Sequence, residues 1–119
     1  MRDILAYLGV RGIMAWRNNT GAMAIPAGRG GKSRYVRFGV RGQADITGIL
    51  KNGIRLEIEV KRPDFRKPAA GSATISQREQ QAFLDAIRAQ GGCAGCATSL
   101  DDAEKILAGK RLDILRGLK

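Results

Sequence analysis

The stretch that decides the fold runs from Ala44 to Lys61 and reads ADITGILKNGIRLEIEVK. Two runs rich in apolar and β-branched residues, 44–50 and 54–61, flank Lys51-Asn52-Gly53, which is a strong turn signal. This pattern predicts a β-hairpin at the centre of the chain.

Two registers of this hairpin are open from the sequence. A two-residue turn at Asn52-Gly53 would place Asp45 opposite Val60. A three-residue loop, with Gly53 in the left-handed conformation, would place Asp45 opposite Glu59. The choice matters because a slip of one residue moves every side chain to the other face of the sheet.

The second strand of the hairpin carries the charged residues. Strand alternation puts Leu56, Ile58 and Val60 on one face. Glu57, Glu59 and Lys61 fall on the other face. Taken alone, this pattern is typical of a half-exposed strand with a salt bridge across one face.

Asp45 changes this interpretation in the three-residue register. Cross-strand neighbours have β-carbons about 5 Å apart, so Asp45 and Glu59 would repel each other unless a cation joins them. A hard ion such as Mg²⁺ takes oxygen ligands and keeps several waters. We therefore expect Asp45, Glu59 and the Val60 carbonyl as ligands, with Lys61 beside a metal-bound water, and we predict the three-residue loop at Lys51-Asn52-Gly53.

Outward from the hairpin, the pattern predicts one mixed α/β domain over residues 1–119. We expect a helix over Arg2–Val10, a strand over Ile13–Trp16 and a long mobile loop over Arg17–Arg34. Ser76 and Glu79 fit a capping box for a helix to about Gln90. A buried strand then follows at Cys93–Ala97, with a helix capped by Ser99 running to Leu107. Leu112, Leu115 and Leu118 recur at helical spacing. A strand–helix–strand order predicts that the last strand is parallel to the 57–61 strand.

Charge and composition restrict the function. The chain has 119 residues, 21 Lys+Arg against 11 Asp+Glu, a net charge of +10 and no histidine. The charge favours a nucleic-acid partner, and the lack of histidine excludes Ser-His and Cys-His nucleophiles and His-ligated zinc. Only 5% of the residues are aromatic, which favours backbone contacts to duplex or branched DNA over single-strand stacking. The predicted nucleic-acid contacts are Arg17, Asn19, Arg29, Lys32, Arg34, Arg62, Arg66 and Lys67.

The remaining signals concern the cysteines and the location in the cell. Cys93 and Cys96 form a CxxC without a second metal-binding pair, in a small-residue segment typical of a buried strand. No apolar run approaches the ~20 residues of a membrane span, and the N-terminal residues lack the features of a signal peptide. We therefore expect a cytoplasmic protein.

An aspartate and a Glu-x-Lys across a hairpin, followed by a strand–helix–strand unit, resemble the PD-(D/E)xK nuclease superfamily. More specifically, the chain resembles the stand-alone form of the virus-type replication-repair nuclease (VRR-NUC) family. The matching stretches are WRNNTGA at 16–22, GQAD at 42–45, IEVK at 58–61, QQAF at 80–83 leading to Gly91-Gly92, and SLDD at 99–102.

The resemblance implies a restriction-endonuclease-like core (αβββαβ), a mixed sheet flanked by helices. It implies that Asp45 and Glu59 bind Mg²⁺ or Mn²⁺, that Lys61 is the catalytic lysine, and that a helix-borne glutamine reaches into the site. Spacing to Phe83 favours Gln80 for this role, and Gln77 is the alternative. Whether one or two metal ions bind is open. Glu57 could support the ligands or bind a second metal ion, and a structural or DNA-excluding role is favoured.

By the same resemblance, the chain is expected to be a metal-dependent, structure-selective DNA endonuclease similar to Holliday-junction resolvases. It would act as a homodimer in DNA repair or recombination, in a bacterial cell or a phage-infected host. Two alternatives remain. One is a basic nucleic-acid-binding module without catalysis, and the other is a restriction-like, sequence-specific nuclease.

Overall fold

The computed structural model describes residues 1–18, 21–25, 34–38 and 40–118, and only the backbone of 21–25 and 34–38. Three helices and six strands follow one another in this part of the chain. In chain order they are α1 (Arg2–Val10), β1 (Met14–Arg17), β2 (Gly21–Ile25), β3 (Arg34–Phe38), β4 (Ile46–Ile49), β5 (Arg55–Val60), α2 (Ile75–Ala89), β6 (Cys93–Ala97) and α3 (Leu100–Leu107).

Four strands form the main sheet in the order β1-β4-β5-β6. The pairs β1–β4 and β4–β5 are antiparallel, and β6 is parallel to β5. The parallel pair follows from α2, because a strand that returns through a helical crossover ends beside its predecessor in the same direction. The predicted mixed α/β class and the parallel last strand are therefore confirmed.

The hairpin between β4 and β5 has the three-residue loop. Leu50 N–H donates to the Ile54 carbonyl at 2.9 Å and Gly53 N–H donates to the Leu50 carbonyl at 2.8 Å. Gly53 has φ +85°, in the left-handed region that glycine reaches without a steric penalty. Ile46 pairs with Ile58 and Thr47 with Glu57, so the same register brings Asp45 opposite Glu59.

The sheet separates two apolar clusters. On one face, Leu56 and Ile58 pack with Ile4 and Leu8 of α1 and with Ile106 of α3. On the other face, residues of α2 and of the C-terminal segment cover β6. The second cluster is Ala44, Ala73, Leu84, Ala94, Cys96, Ile114 and Leu115. Helices thus flank both faces, and the Glu57–Glu59 face of β5 is the one that faces α2.

The predicted long loop over Arg17–Arg34 is wrong where the structure describes it. Gly21–Ile25 and Arg34–Phe38 are strands, paired antiparallel as a separate two-stranded sheet in which Met23 is opposite Val36. The runs GAMAI and RYVRF carry the apolar residues needed for pairing, whereas the glycine content between them suggested a loop. Residues 19, 20, 26–33 and 39 lie outside the described part.

The predicted capping box at the start of α2 is also wrong. Thr74 is the N-cap: its hydroxyl accepts from Gln77 N–H, and Gln77 Oε1 accepts from Thr74 N–H. Thr74-x-x-Gln77 satisfies the same S/T-x-x-E/Q pattern two residues earlier than Ser76-x-x-Glu79. Glu79 instead lies 3.5 Å from the Arg41 guanidinium.

The C-terminal segment is not a helix, although Leu112, Leu115 and Leu118 recur at helical spacing. Gln81 of α2 accepts hydrogen bonds from Ile114 N–H and Leu115 N–H at 2.7 and 3.1 Å. A side chain from a distant helix therefore occupies the donors that a local helix would have used.

The cysteine prediction is confirmed. Cys93 and Cys96 are free thiols on β6, and Cys93 Sγ donates to the Ile106 carbonyl at 3.0 Å. Burial raises the pKa of Cys96 to about 11, so this thiol stays protonated near neutral pH. Within the described residues, none of the helices has the length and apolar character that crossing a membrane requires.

Candidate active site

The two predicted carboxylates stand side by side at one end of the main sheet. Asp45 precedes β4 and is half-buried, and Glu59, near the end of β5, is 3% exposed. Asn18, just after β1, donates its N–H to the Asp45 carbonyl at 2.7 Å. The backbone of Asp45 is therefore tied to the neighbouring strand.

The Asp45 carboxylate turns towards β5. Its Oδ2 accepts from Val60 N–H at 2.8 Å. In an antiparallel pair the N–H and the C=O of one residue point to the same side of the strand. The Val60 carbonyl therefore lies on the Asp45 side of β5, as the predicted ligand set requires.

Burial dominates the electrostatics of Glu59. Burial, a hydrogen bond with the Asp45 side chain and the negative charge of Asp45 together raise the pKa of Glu59 to about 9. The positive charge of Lys61 acts in the opposite direction. The carboxyl pair therefore holds a proton at neutral pH when no cation stands between them.

Lys61 is held from two sides. Its Nζ donates to Gln80 Oε1 at 2.8 Å, and Nζ lies 5.4 Å from the centre of the Phe65 ring. Its backbone N–H donates to the Ala97 carbonyl at 2.9 Å, which extends the β5–β6 pairing by one residue. The ammonium group is thus fixed at the same end of the sheet as Asp45 and Glu59.

The glutamine alternatives are separated by their contacts. Gln80 contacts Lys61, whereas Gln77 completes the capping box with Thr74. Gln81 is buried and holds the C-terminal segment through Ile114 and Leu115. Successive residues of one helix turn therefore serve the site and the fold separately.

Glu57 is fully buried and lies two residues before Glu59, on the same face of β5. Both of its oxygens lie within 3.0 Å of Thr47 Oγ1, and Arg55 donates to Oε1 at 3.2 Å. Burial raises the pKa of Glu57, against the hydrogen bond from Thr47 and the charge of Arg55. The Asn18 amide donates to Thr47 Oγ1 and to the Ala44 carbonyl. A polar network therefore joins Glu57 to the start of β4, in line with the structural role expected of Glu57.

Asn18 and Thr47 were not among the predicted site residues. Asn18 lies in the WRNNTGA stretch, so the motif signal was available, but its partners are 26 and 29 residues away. The alternation in β4 also placed Thr47 on the Asp45 face. Only the pairing of β1 with β4 brings these two side chains together.

Gly42 fixes the approach of this segment to α2. It has φ +73°, and a β-carbon there would collide with the Glu79 carbonyl and crowd Gln80 N. The chain just before Asp45 therefore packs directly on the helix turn that carries Gln80.

The predicted nucleic-acid contacts divide into three sets. Arg17 ends β1 next to the site and is exposed, and Arg62, Arg66 and Lys67 are exposed after β5. Lys67 is also close enough to lower the pKa of Cys96, while burial raises it. The Arg34 side chain lies outside the described part, as do Asn19, Arg29 and Lys32.

The donor set fits a hard divalent cation in chemistry. Two adjacent carboxylates and a backbone carbonyl are oxygen ligands, and water completes the coordination of Mg²⁺ in such sites. A cation bound between Asp45 and Glu59 would take the place of the shared proton and neutralise the charge of both carboxylates. Among the described residues, no group of three or more cysteine, aspartate or glutamate side chains could hold a metal ion. Protein ligands would therefore be few.

Comparisons with protein-family models, curated proteins and solved structures find no match to this chain.

Proposed function

We propose that this chain is a metal-dependent nuclease that hydrolyses phosphodiester bonds in DNA, with a restriction-endonuclease-like core of the PD-(D/E)xK type. Within that class, we propose a stand-alone VRR-NUC-like endonuclease with selectivity for branched DNA. The observation that carries the proposal is the pair Asp45–Glu59 beside a lysine, Lys61, whose ammonium is held at 2.8 Å by Gln80.

The fold supports this class. Without the β2–β3 pair, the elements follow one another as α1, β1, β4, β5, α2 and β6, which is the αβββαβ order. Asp45 immediately precedes β4, Glu59 lies in β5, and Lys61 immediately follows β5, which is an inner strand of the main sheet. This order of elements and motif residues supports the proposed class.

The chemistry follows from the side chains. Mg²⁺ or Mn²⁺ would supply charge neutralisation for the phosphate and a water of lowered pKa. Asp45, Glu59 and the Val60 carbonyl would hold the ion. Lys61 holds a positive charge over the reacting phosphate or orients the attacking water, and Gln80 keeps its ammonium in place. No histidine is needed for any of these roles.

The partner follows from the charge. The net charge of +10 and the exposed residues Arg17, Arg62, Arg66 and Lys67 around the site suit a polyanionic backbone. A homodimer would present two such sites to the two strands of a junction, because a two-fold axis matches symmetric cuts.

The test is cleavage by the purified chain of a four-way junction, a flap, a single strand and a linear duplex, with Mg²⁺, Mn²⁺ or EDTA. We expect cleavage of branched DNA that depends on the metal ion. Lys61→Ala should lower the rate at least about 100-fold, as expected for the loss of a preorganised charge that stabilises the transition state, while DNA binding persists. Lys51→Ala is the matched control, because it removes the same charge at the opposite end of β5.

Two outcomes would reject the proposal. Equal loss of binding and cleavage in Lys61→Ala would assign Lys61 to DNA binding alone. DNA binding without cleavage under any metal condition would support a nucleic-acid-binding module in which the carboxylates are structural.

A further inference from the structure

A second feature of the catalytic face is an exposed apolar patch. Met14, Trp16 and Ile49 are 68%, 41% and 41% exposed. Met14 is paired with Ile49, and Trp16 with Thr47. Because alternate residues of a strand and their cross-strand partners share a face, these three side chains lie on the same face as Asp45. We call these three residues the Trp16 platform.

The platform lies next to the site. Thr47, the partner of Trp16, is two residues from Asp45, which corresponds to about 7 Å along the strand and one strand spacing of about 4.8 Å across it. Trp16 is therefore roughly 8 Å from Asp45 at the backbone, or two to three base steps of about 3.4 Å. α2 covers β6 and β5 but leaves this side of the sheet open.

We propose that the Trp16 platform stacks an unpaired base of the DNA, which places the branch point of the substrate two or three nucleotides from the bond that is cut. This inference rests on the proposed endonuclease function and specifies its substrate. An indole ring stacks on any base, so a single tryptophan recognises an unpaired base without reading sequence.

Charge and area favour a base over a second copy of the chain. Arg55 is paired with Ile49 in the next strand and therefore lies on the same face, with its side chain 54% exposed. This cation suits a nucleotide phosphate, whereas a second copy related by a two-fold axis would bring its own Arg55 to the same face. Three partly exposed side chains also fall far short of the roughly 800 Å² per partner of a standard protein interface.

The chain offers a direct probe, because Trp16 is its single tryptophan. Its fluorescence is followed while the full chain, in EDTA, is titrated with a bulged duplex and with the fully paired duplex of the same length. We expect strong quenching by the bulged DNA and little change with the paired DNA.

Variants test the same point by affinity. Trp16→Ala should weaken binding of the bulged duplex roughly 5- to 100-fold, the equivalent of one stacked base, and leave binding of the paired duplex unchanged. Trp16→Phe should keep most of the affinity, because it retains an aromatic face. Val10→Ala, at a residue 88% exposed on α1, is the control for loss of an exposed apolar side chain.

The outcomes that overturn the platform differ from those that overturn the nuclease. Metal-dependent cleavage with a fluorescence that does not respond to bulged DNA would reject the platform and leave the endonuclease standing. Selective quenching without cleavage would support the platform and reject the endonuclease. A free protein whose sedimentation changes in Trp16→Ala would reject the platform, because the face would then contact a second copy.

Discussion

At the scale of single residues, two neighbouring glutamines provide a matched pair. Gln80 contacts Lys61, and Gln81 accepts from two buried backbone N–H groups. We expect Gln80→Ala to lower the cleavage rate by about 10- to 100-fold through a misplaced lysine, with little change in stability. Gln81→Ala should lower the free energy of unfolding by about 2–4 kcal/mol, because two buried donors lose their acceptor.

Cleavage rates and denaturant unfolding of the two variants check this pair. The assignment of roles would be wrong if Gln81→Ala lost activity while keeping its stability, or if Gln80→Ala unfolded as easily as Gln81→Ala.

Asp113 gives a prediction for the dependence of stability on pH. Burial alone would raise the pKa of Asp113, but hydrogen bonds from Gln81, Arg88 and Arg111 and the charge of Arg88 lower it overall. A carboxyl with a lowered pKa in the folded state stabilises the fold above its unfolded pKa of about 3.9, and this stabilisation is lost as the pH falls through the folded value. Asp113→Asn should therefore cost about 2 kcal/mol at neutral pH and progressively less below about pH 4.

Denaturant unfolding of the wild type and Asp113→Asn across this pH range measures the difference between their free energies of unfolding. Asp64→Asn is the control, because Asp64 and its partner Arg62 are 77% and 87% exposed. A gap that stays constant down to the most acid conditions would show that the network around Asp113 does not depend on its charge.

At the scale of elements, the contact between Gly42 and α2 aligns Asp45 with Gln80. Gly42→Ala would require both a left-handed alanine and a displaced Glu79 carbonyl. We expect a loss of roughly 1–3 kcal/mol from crowding in addition to about 1–2 kcal/mol from the backbone. The cleavage rate of the folded fraction should also fall, because the displacement separates the carboxylates from the helix that holds Lys61.

Gly53→Ala separates the two costs. Gly53 also has a positive φ, +85°, but a β-carbon there has no neighbour within 4 Å. We expect only the backbone cost of about 1–2 kcal/mol, with the activity of the folded fraction retained. Equal effects of the two variants on activity would contradict a role for Gly42 in aligning the site.

At the scale of the whole molecule, the proposed function predicts that the position of the positive charge governs DNA binding. If Arg62, Arg66 and Lys67 bind phosphates, the affinity should fall steeply with salt, with a log–log slope of about −0.9 for each phosphate neutralised on duplex DNA. Changing all three to alanine should reduce the slope and weaken binding to all DNA sequences equally, since phosphate contacts carry no base information.

A second triple variant, Arg11→Ala with Lys51→Ala and Lys110→Ala, removes the same net charge from the opposite end of the sheet. Arg11 and Lys51 line one small cavity there, and Lys110 lines the neighbouring cavity near the hairpin loop. Equilibrium binding across a salt series should leave the slope of this variant close to that of the wild type. Equal slopes for both triples would show that the net charge matters and not the surface beside the site.

Features that depend on neighbours in the chain could be predicted from the order of residues. Lys51-Asn52-Gly53 restricted the hairpin to two registers, and alternation put Glu57, Glu59 and Lys61 on one face. The spacing of Ile4, Leu5, Leu8 and Val10 predicted α1, and Ser99 predicted the start of α3, where its hydroxyl accepts from Asp102 N–H. Turn chemistry and side-chain periodicity act within a few residues, so the order of residues is sufficient for them.

The packing of distant segments settled which glutamine contacts Lys61 and whether the last segment is a helix, and it confirmed the predicted three-residue loop of the hairpin. The C-terminal leucines have the spacing of a helix, but Gln81, 33 residues before Ile114, accepts hydrogen bonds from the backbone N–H groups of Ile114 and Leu115. Two overlapping capping patterns begin α2, and the helix uses Thr74. Local preferences at these positions are worth only fractions of a kcal/mol, so contacts between distant residues override them. Those contacts exist only once β4, β5, α2 and β6 have packed together.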